Sequence, residues 1–144
     1  MPSDAVPQDI VHATCVAFEK RGLLILGPSG SGKSSLGLAL MALGAKLVAD
    51  DRTVLTNKAG KLIARCPPAI RGLIEARGLG LIRAETRASA RISLVVDMEA
   101  AEIDRLPPRC NTTLCGVICD LVPGQRHPHF PSFLLAYMIG GRQE

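Results

Sequence analysis

Aromatic residues are scarce in this sequence. Its 144 residues include three Phe, one Tyr and no Trp. Proteins that bind single-stranded nucleic acid without sequence preference stack the bases on aromatic side chains, so this composition argues against that class. The formal net charge of +4 is modest and does not require a polyanionic partner. We therefore expect no nucleic-acid ligand.

Long apolar runs are also missing. None approaches the ~20 residues that a membrane-spanning helix needs, and the first residues, MPSDAVPQDIVHATC, lack a basic segment followed by an apolar one. We therefore expect a cytoplasmic protein with no membrane partner. With 47% hydrophobic and 21% charged residues, the chain is expected to form one domain, residues 1–144, with a substantial core.

The cysteines are odd in number, and reduced thiols are the default in a cytoplasmic protein. A zinc site is the alternative interpretation for Cys110, Cys115 and Cys119 with His127 and His129, but their spacing contains no C-x-x-C pair. The alternation of apolar residues in LCGVICDLV favours a strand with small buried side chains instead. The five cysteines are Cys15, Cys66, Cys110, Cys115 and Cys119.

Predicted strands alternate with one clear helix along the chain. A helix is expected over residues 33–43, ending at Gly44, and a shorter closing helix in FPSFLLAYMIGG. The Gly- and Pro-rich segment PPAIRGLIEARGLGLIRAE is predicted to be an irregular loop that packs near a site, and AAEIDRLPPRCNTT a loop or short helix. Strands are predicted in DIVHATCVAF, LLILG, AKLVAD, ARISLVVDME and LCGVICDLV, with a hairpin in RTVLTNKAGKLIARC. This order indicates an α/β domain with a mixed β-sheet.

The segment GPSGSGKS, residues 27–34, matches the phosphate-binding motif G-x-x-x-x-G-K-[ST] at each fixed position. It follows an apolar strand and opens the predicted helix, a context that a chance Gly/Ser-rich turn would lack. The glycines let successive backbone N–H groups converge on phosphate oxygens at the positive end of the helix dipole. Lys33 is expected at the β- and γ-phosphates of ATP, and the Ser34 hydroxyl on Mg²⁺. The predicted nucleotide-binding residues are Gly27, Pro28, Ser29, Gly30, Ser31, Gly32, Lys33, Ser34 and Ser35.

Two adjacent carboxylates, Asp50 and Asp51, end the predicted strand AKLVAD, 17 and 18 residues after Lys33. One helix and one strand separate them from the phosphate loop, so a single crossover can bring them beside it. Many P-loop proteins hold Mg²⁺ through an acidic residue at a strand end, and a kinase acting on an alcohol needs a carboxylate to accept the hydroxyl proton. The pair can supply both functions. A solvated strand end in a type I turn is the plainer alternative.

Taken together, GPSGSGKS, LVADD and the later IEARGLGLI resemble the catalytic domain of bacterial HPr kinase/phosphorylase, from about His12 to Leu106. The segment RGLGLI is close to the signature loop of that family. The resemblance implies a P-loop kinase-like domain with the HPr kinase/phosphoenolpyruvate carboxykinase fold, in the short form without the additional N-terminal domain. It also implies an ATP- and Mg²⁺-dependent serine kinase acting on the phosphocarrier protein HPr. The reverse reaction would consume inorganic phosphate, and the assembly would be a homo-oligomer, by family resemblance a hexamer.

The same resemblance implies roles for individual acids. By position, Asp51 corresponds to the proton acceptor of the kinase reaction and the proton donor of the reverse reaction, while Lys33 serves catalysis at the phosphates. Asp50 falls at the metal, and Glu75 corresponds to a further Mg²⁺-linked carboxylate. The implied metal set is therefore Ser34, Asp50 and Glu75.

Other positions match the family more locally. Arg77 and Gly78 fall in the signature loop, His12 corresponds to an active-site histidine, and Arg105 to the arginine of a D-R-L segment. Without the resemblance, each of them has a plainer interpretation. His12 would be a partly buried strand histidine, Arg105 an ordinary loop arginine, and Arg77 the partner of Glu75 in a surface ion pair that contributes little.

The sequence also departs from the family pattern. Pro28 replaces a usual acidic residue, Ser35 replaces a common glutamate, and VPGQRHPHFPSFLLAYMIGG lacks the usual sequence of the closing helix. The family uses that helix in partner binding and dephosphorylation. Two alternatives therefore stay open: a small-molecule P-loop kinase, for which residues 60–95 offer arginines but too little chain for a lid domain, and a non-catalytic nucleotide sensor.

Overall fold

The structure, a computed structural model, describes residues 8–99 and 110–141. Ten strands, two α-helices and one 3-10 turn lie within these ranges. In chain order they are β1 (Gln8–Phe18), β2 (Arg21–Leu26), α1 (Lys33–Ala42), β3 (Lys46–Ala49), β4 (Arg52–Lys58), β5 (Lys61–Arg65), the 3-10 turn (Pro68–Ile70), β6 (Leu73–Ala76), β7 (Gly80–Arg83), β8 (Ser89–Asp97), β9 (Cys110–Leu114), β10 (Val117–Pro123) and α2 (Phe130–Gly140).

Eight of these strands form one mixed sheet, which confirms the predicted α/β class. Its order is β2-β1-β4-β5-β8-β10-β9, with β3 beside β1. The β2–β8 and β8–β10 pairs are parallel, whereas the other pairs are antiparallel. Because β8 also pairs with β2, the hydrogen bonds close a ring through β2, β1, β4, β5 and β8. Strand β1 also pairs with both β2 and β3, which places the end of β2 opposite Ala13 and the end of β3 opposite Cys15.

Two apolar clusters form because successive side chains of a strand point to opposite faces. On β1, Cys15 joins one cluster and Val16 the other. The cluster with Val16 contains Leu36 and Leu40 of α1, together with Leu134 of α2. Both helices thus cover one face of the sheet, and α1 brings the phosphate loop to that face. Neither helix of the described residues is long and apolar enough to cross a membrane.

Helix α1 lies unusually close to β1. Gly32, immediately before it, has φ 98°, a left-handed conformation that glycine adopts without a steric penalty. Gly37 faces the strand, where a Cβ atom would come within 2.9 Å of Cγ2 of Thr14. The predicted helix and its end before Gly44 are confirmed. The glycine at position 37 permits the close approach of helix and strand.

The segment after β5 is more regular than predicted. It forms an antiparallel hairpin, β6–β7, in which Ile74 pairs with Ile82 and Ala76 with Gly80. Ile74 and Ala76 are buried and Glu75 is exposed, the alternation expected of a half-buried strand. The prediction of an irregular loop was wrong because the glycines suggested a breaker, whereas Gly78 and Gly80 supply the positive φ angles of the turn region.

The C-terminal strands also differ from the prediction. LCGVICDLV is not one strand, because Cys115, with φ 50°, and Gly116 form the turn between β9 and β10. Residues 110–113 belong to β9 and not to a loop or helix, while the preceding residues of that prediction, 100–109, lie outside the described ones. Cys119 is buried as expected, but Cys115, in the turn, is only partly buried. The closing helix is confirmed as α2.

Candidate active site

The phosphate loop connects β2 to α1, as its motif predicts. Lys33 is only 7% exposed, and its Nζ donates hydrogen bonds to the carbonyl oxygens of Gly27 (2.7 Å) and Pro28 (3.0 Å). The Ser31 N–H donates to the same Pro28 oxygen at 3.1 Å. No carboxylate among the described residues forms an ion pair with Lys33. The two carbonyls therefore hold the ammonium group at the phosphate loop, and its positive charge is not neutralised by a carboxylate of the described residues.

Asp50, at the end of β3, is a buried carboxylate with three hydrogen-bond donors. Its Oδ1 accepts from Thr14 Oγ1 and from Ser34 Oγ, each at 2.7 Å, and its Oδ2 accepts from the Glu75 N–H at 3.1 Å. Only 6% of Asp50 is exposed, and a buried charge is tolerated when it is hydrogen-bonded in this way. The contacts join β1, α1 and β6 at a single side chain. The alternative of a solvated strand end therefore does not hold for Asp50.

The oxygen atoms of Ser34 and Asp50 fit a magnesium site. Adjacent ligands of an octahedral Mg²⁺ at 2.0–2.1 Å lie about 2.9 Å apart, close to the 2.7 Å between Ser34 Oγ and Asp50 Oδ1. Within the described ranges, no group of three or more His, Cys, Asp or Glu side chains could hold a metal ion by itself. If Mg²⁺ binds here, phosphate oxygens and water would complete its coordination, as is usual for this ion.

Asp51 differs from its neighbour in exposure and in backbone conformation. Its φ of 67° lies in the left-handed region, which is uncommon for a residue with a Cβ atom. Asp51 Oδ1 lies 3.6 Å from His12 Nδ1, and the two side chains are 66% and 71% exposed. The Arg52 N–H donates to the Asp50 carbonyl at 2.8 Å, which closes the tight turn. The turn buries one carboxylate and leaves the next in solvent.

A cavity of about 630 Å³ brings most of the predicted site residues together. The phosphate loop, the two aspartates and the β6–β7 hairpin form its walls. Predicted residues along it are Ser29, Gly30, Gly32, Lys33, Ser34, Ser35, Asp50, Asp51, Glu75, Arg77 and Gly78.

Other predicted residues lie beside this cavity. Gly27 and Pro28 take part through the carbonyls that hold Lys33, and His12 through its contact with Asp51. The Ser31 hydroxyl is buried and has no hydrogen-bond partner within the described structure. Arg105 lies outside the described residues.

Thr14 carries no motif signal and was not predicted, whereas Leu79 lies within the signature-like segment RGLGLI but was not singled out as a site residue. Thr14 contacts Asp50, and Leu79 lines the cavity next to Gly78. The only cue for Thr14 is its position two residues after His12, which places both side chains on the same face of β1.

Glu75 and Arg77 do not form the surface ion pair that was considered as an alternative. The described part of the chain contains two ion pairs, His12–Asp51 and Lys46–Glu85. Both Glu75 and Arg77 line the cavity instead. The Glu75 backbone N–H donates a hydrogen bond to Asp50. The Glu75 side chain is exposed in the cavity that Ser34 and Asp50 also line.

The buried cysteines show no sign of nucleophilic function. Burial raises the pKa of the Cys15 and Cys119 thiols, which disfavours the reactive thiolate. Burial also raises the pKa of Cys66, an effect that Arg71 opposes and Asp50 reinforces. We therefore assign no chemistry to these three side chains.

Comparison with known proteins identifies the family of this chain. Residues 4–115 match the family described as HPr Serine kinase C-terminal domain. The HPr kinase/phosphorylase of Cupriavidus necator is 38% identical over 114 residues, which are 72% of this chain and 35% of that protein. HPr kinase/phosphorylase 1 of Oceanobacillus iheyensis is 38% identical over 107 residues, 69% of this chain and 34% of that protein. The chain thus spans about a third of the length of these curated relatives.

A solved structure extends the comparison to the fold. The Hpr(Ser) kinase/phosphatase from Coxiella burnetii superimposes with a TM-score of 0.76 at 27% identity, and the match covers 91% of this chain and 93% of that one. The fold and the family expected from the motifs are confirmed. This chain belongs to the HPr serine kinase C-terminal domain family.

Proposed function

We propose that this chain binds ATP with Mg²⁺ in the cavity and transfers the γ-phosphoryl group to a serine of an HPr-like phosphocarrier protein. The observation that carries the proposal is that Lys33, Asp50 and Asp51 line one cavity. Lys33 comes from the phosphate loop, and the two aspartates come from the turn after β3. The family indicates the class of acceptor, and the arrangement of these residues in one cavity supports the role proposed for each.

The binding end of the site is formed by the phosphate loop. Lys33 and the backbone N–H groups at the start of α1 bind the β- and γ-phosphates, because both present positive charge to an anion. Ser34 and Asp50 hold Mg²⁺, and Glu75, which lines the same cavity, takes part through its exposed carboxylate. When bound, Mg²⁺ neutralises charge on the β- and γ-phosphate oxygens.

Asp51 accepts the proton at the reaction end. As the serine oxygen forms its bond to the γ-phosphorus, the bond from that phosphorus to the β–γ bridging oxygen breaks and ADP leaves. The serine proton moves to an Asp51 carboxylate oxygen, and His12, 3.6 Å away, orients that carboxylate. In the reverse reaction, inorganic phosphate attacks the phosphoserine, pyrophosphate forms and Asp51 returns the proton to the serine oxygen.

The surroundings of Asp51 favour a protein acceptor over a small molecule. Its side chain is 66% exposed, so a serine on a protein surface can reach it without being enclosed. Leu79, which lines the same cavity as Asp51, and Leu81 of β7 are 81% and 69% exposed. Exposed apolar surface next to a polar site is a feature of protein interaction surfaces.

The test is a phosphotransfer assay with the purified chain, γ-labelled ATP, Mg²⁺ and HPr from the same organism. We expect phosphoserine on HPr, and release of pyrophosphate when phosphorylated HPr is incubated with inorganic phosphate. Label that appears on metabolites but not on HPr would contradict the proposal in favour of a small-molecule kinase. Tight ATP binding without transfer, unchanged in Asp51→Asn, would favour a nucleotide sensor.

A further inference from the structure

Thr14 is a buried polar residue that contacts Asp50, one of the two side chains proposed to hold Mg²⁺. It lies on β1 with no exposed surface, and its hydroxyl donates a hydrogen bond of 2.7 Å to Asp50 Oδ1. The same oxygen accepts the hydrogen bond from Ser34. Thr14 therefore reaches the predicted metal site through Asp50 and does not itself line the cavity.

The orientation of the Thr14 side chain is determined by packing. Its Cγ2 lies against Gly37 of α1, where any larger residue would place a Cβ atom 2.9 Å away. A β-branched side chain has few allowed χ1 rotamers. Because the methyl group occupies the space at Gly37, the hydroxyl is directed to Asp50. The helix that carries the phosphate loop thus determines where the hydroxyl points.

A second buried threonine shows that this arrangement is not the default. Thr53 on β4 is equally buried, yet its hydroxyl donates to the backbone oxygen of Ala13 at 3.0 Å. A backbone carbonyl satisfies a buried threonine without involving a charge. Only Thr14 of these two directs its hydroxyl at a carboxylate, and that carboxylate is the one next to Ser34.

We propose that Thr14 is a positioning residue, whose hydroxyl holds the Asp50 carboxylate in the orientation that binds Mg²⁺ with the nucleotide. This inference rests on the proposed function, because it assumes that Ser34 and Asp50 hold the metal. Without the hydroxyl, Asp50 Oδ1 loses one of its two side-chain donors and can rotate away from Ser34. Loss of such a supporting hydrogen bond typically lowers metal affinity or activity by 10- to 100-fold.

The test measures binding and does not require phosphotransfer. ADP binding to wild type, Thr14→Val, Thr14→Ser and Thr53→Val is followed by calorimetry over a range of Mg²⁺ concentrations, with direct Mn²⁺ binding measured by paramagnetic resonance. For Thr14→Val we expect a Mg²⁺ half-saturation concentration raised roughly 10-fold or more, with metal-free ADP affinity within about twofold of wild type. Thr14→Ser keeps the hydroxyl but lacks the methyl group that packs at Gly37, so we expect its Mg²⁺ half-saturation concentration to lie between those of wild type and Thr14→Val.

Thr53→Val is the matched control, because it removes a buried hydroxyl that does not touch Asp50. Equal Mg²⁺ and Mn²⁺ dependence in Thr14→Val and Thr53→Val would overturn the role of Thr14. If Thr14→Val does not fold, Thr14→Ser decides: Mn²⁺ binding weaker than that of Thr53→Val would support the role of Thr14, and binding equal to that of Thr53→Val would overturn it. If wild type itself binds no ADP with metal, the proposed function fails and the Thr14 inference fails with it.

Discussion

Asp50 and Asp51 are neighbours in the chain but lie in opposite environments. Asp50 is buried and accepts three hydrogen bonds, while Asp51 is mostly exposed and its Oδ1 lies 3.6 Å from His12. The left-handed backbone of Asp51, with φ 67°, turns the chain between them. A single residue in a strained conformation therefore separates a buried, hydrogen-bonded carboxylate from an accessible one.

The largest expected effect comes from removing the buried carboxylate. Asp50→Ala deletes the proposed metal ligand and leaves the Thr14 and Ser34 hydroxyls without their acceptor. We expect metal-dependent ADP binding, measured by calorimetry, to weaken by at least about 100-fold. Asp120→Ala, an exposed site on β10, is the control and should bind as wild type. Undiminished binding by Asp50→Ala would show that the metal lies elsewhere.

Replacing the exposed carboxylate should separate binding from transfer. Asp51→Asn keeps the size of the side chain and an amide that tolerates the left-handed backbone, but it cannot accept the serine proton. We expect the transfer rate to HPr to fall about 10²- to 10⁴-fold, while Mg²⁺-dependent ADP affinity stays within about twofold. A parallel loss of both would mean that the two aspartates share one role.

The turn itself should contain stored strain. Asp51→Gly removes the Cβ atom from the left-handed region, where it costs about 1–2 kcal/mol. The higher chain entropy of glycine in the unfolded state offsets part of that gain. We expect a net increase of about 0.5–1 kcal/mol in the free energy of unfolding, measured with urea, together with loss of phosphotransfer.

Glu19 provides the matched control for this strain. It is exposed, has φ 57° and lies in the turn between β1 and β2. Glu19→Gly should stabilise the protein by a similar amount without affecting phosphotransfer. A destabilised Asp51→Gly beside a stabilised Glu19→Gly would show that contacts of the Asp51 side chain outweigh its backbone strain.

The smallest expected effect concerns a buried hydroxyl that makes no hydrogen bond within the described structure. Thr56 is 5% exposed, and its Oγ1 has no hydrogen-bond partner within the described structure. Thr56→Val keeps the shape and removes an unsatisfied polar atom. We expect the free energy of unfolding to be unchanged or to rise by up to about 1 kcal/mol, whereas Thr53→Val, which breaks a hydrogen bond, should lower it by about 1 kcal/mol. Equal losses would contradict this difference between the two threonines.

The local features of this protein could be predicted from its sequence. Residues 27–34 match a motif whose spacing follows from phosphate chemistry, and the leucines with Gly44 bounded helix α1. Alternation and turn residues located most of the strands. The β6–β7 hairpin was missed because glycines in its turn resemble the breakers of an irregular loop.

Tertiary structure alone decided how the site is divided. The sequence indicated that Asp50 and Asp51 lie near the phosphate loop, but not that one would be buried against Thr14 and Ser34 and the other exposed beside His12. That outcome depends on β1 pairing with both β3 and β4 and on Gly37 letting α1 approach Thr14. Motif spacing records which residues chemistry needs, whereas burial and orientation arise from contacts between segments distant in the chain, which no local pattern encodes.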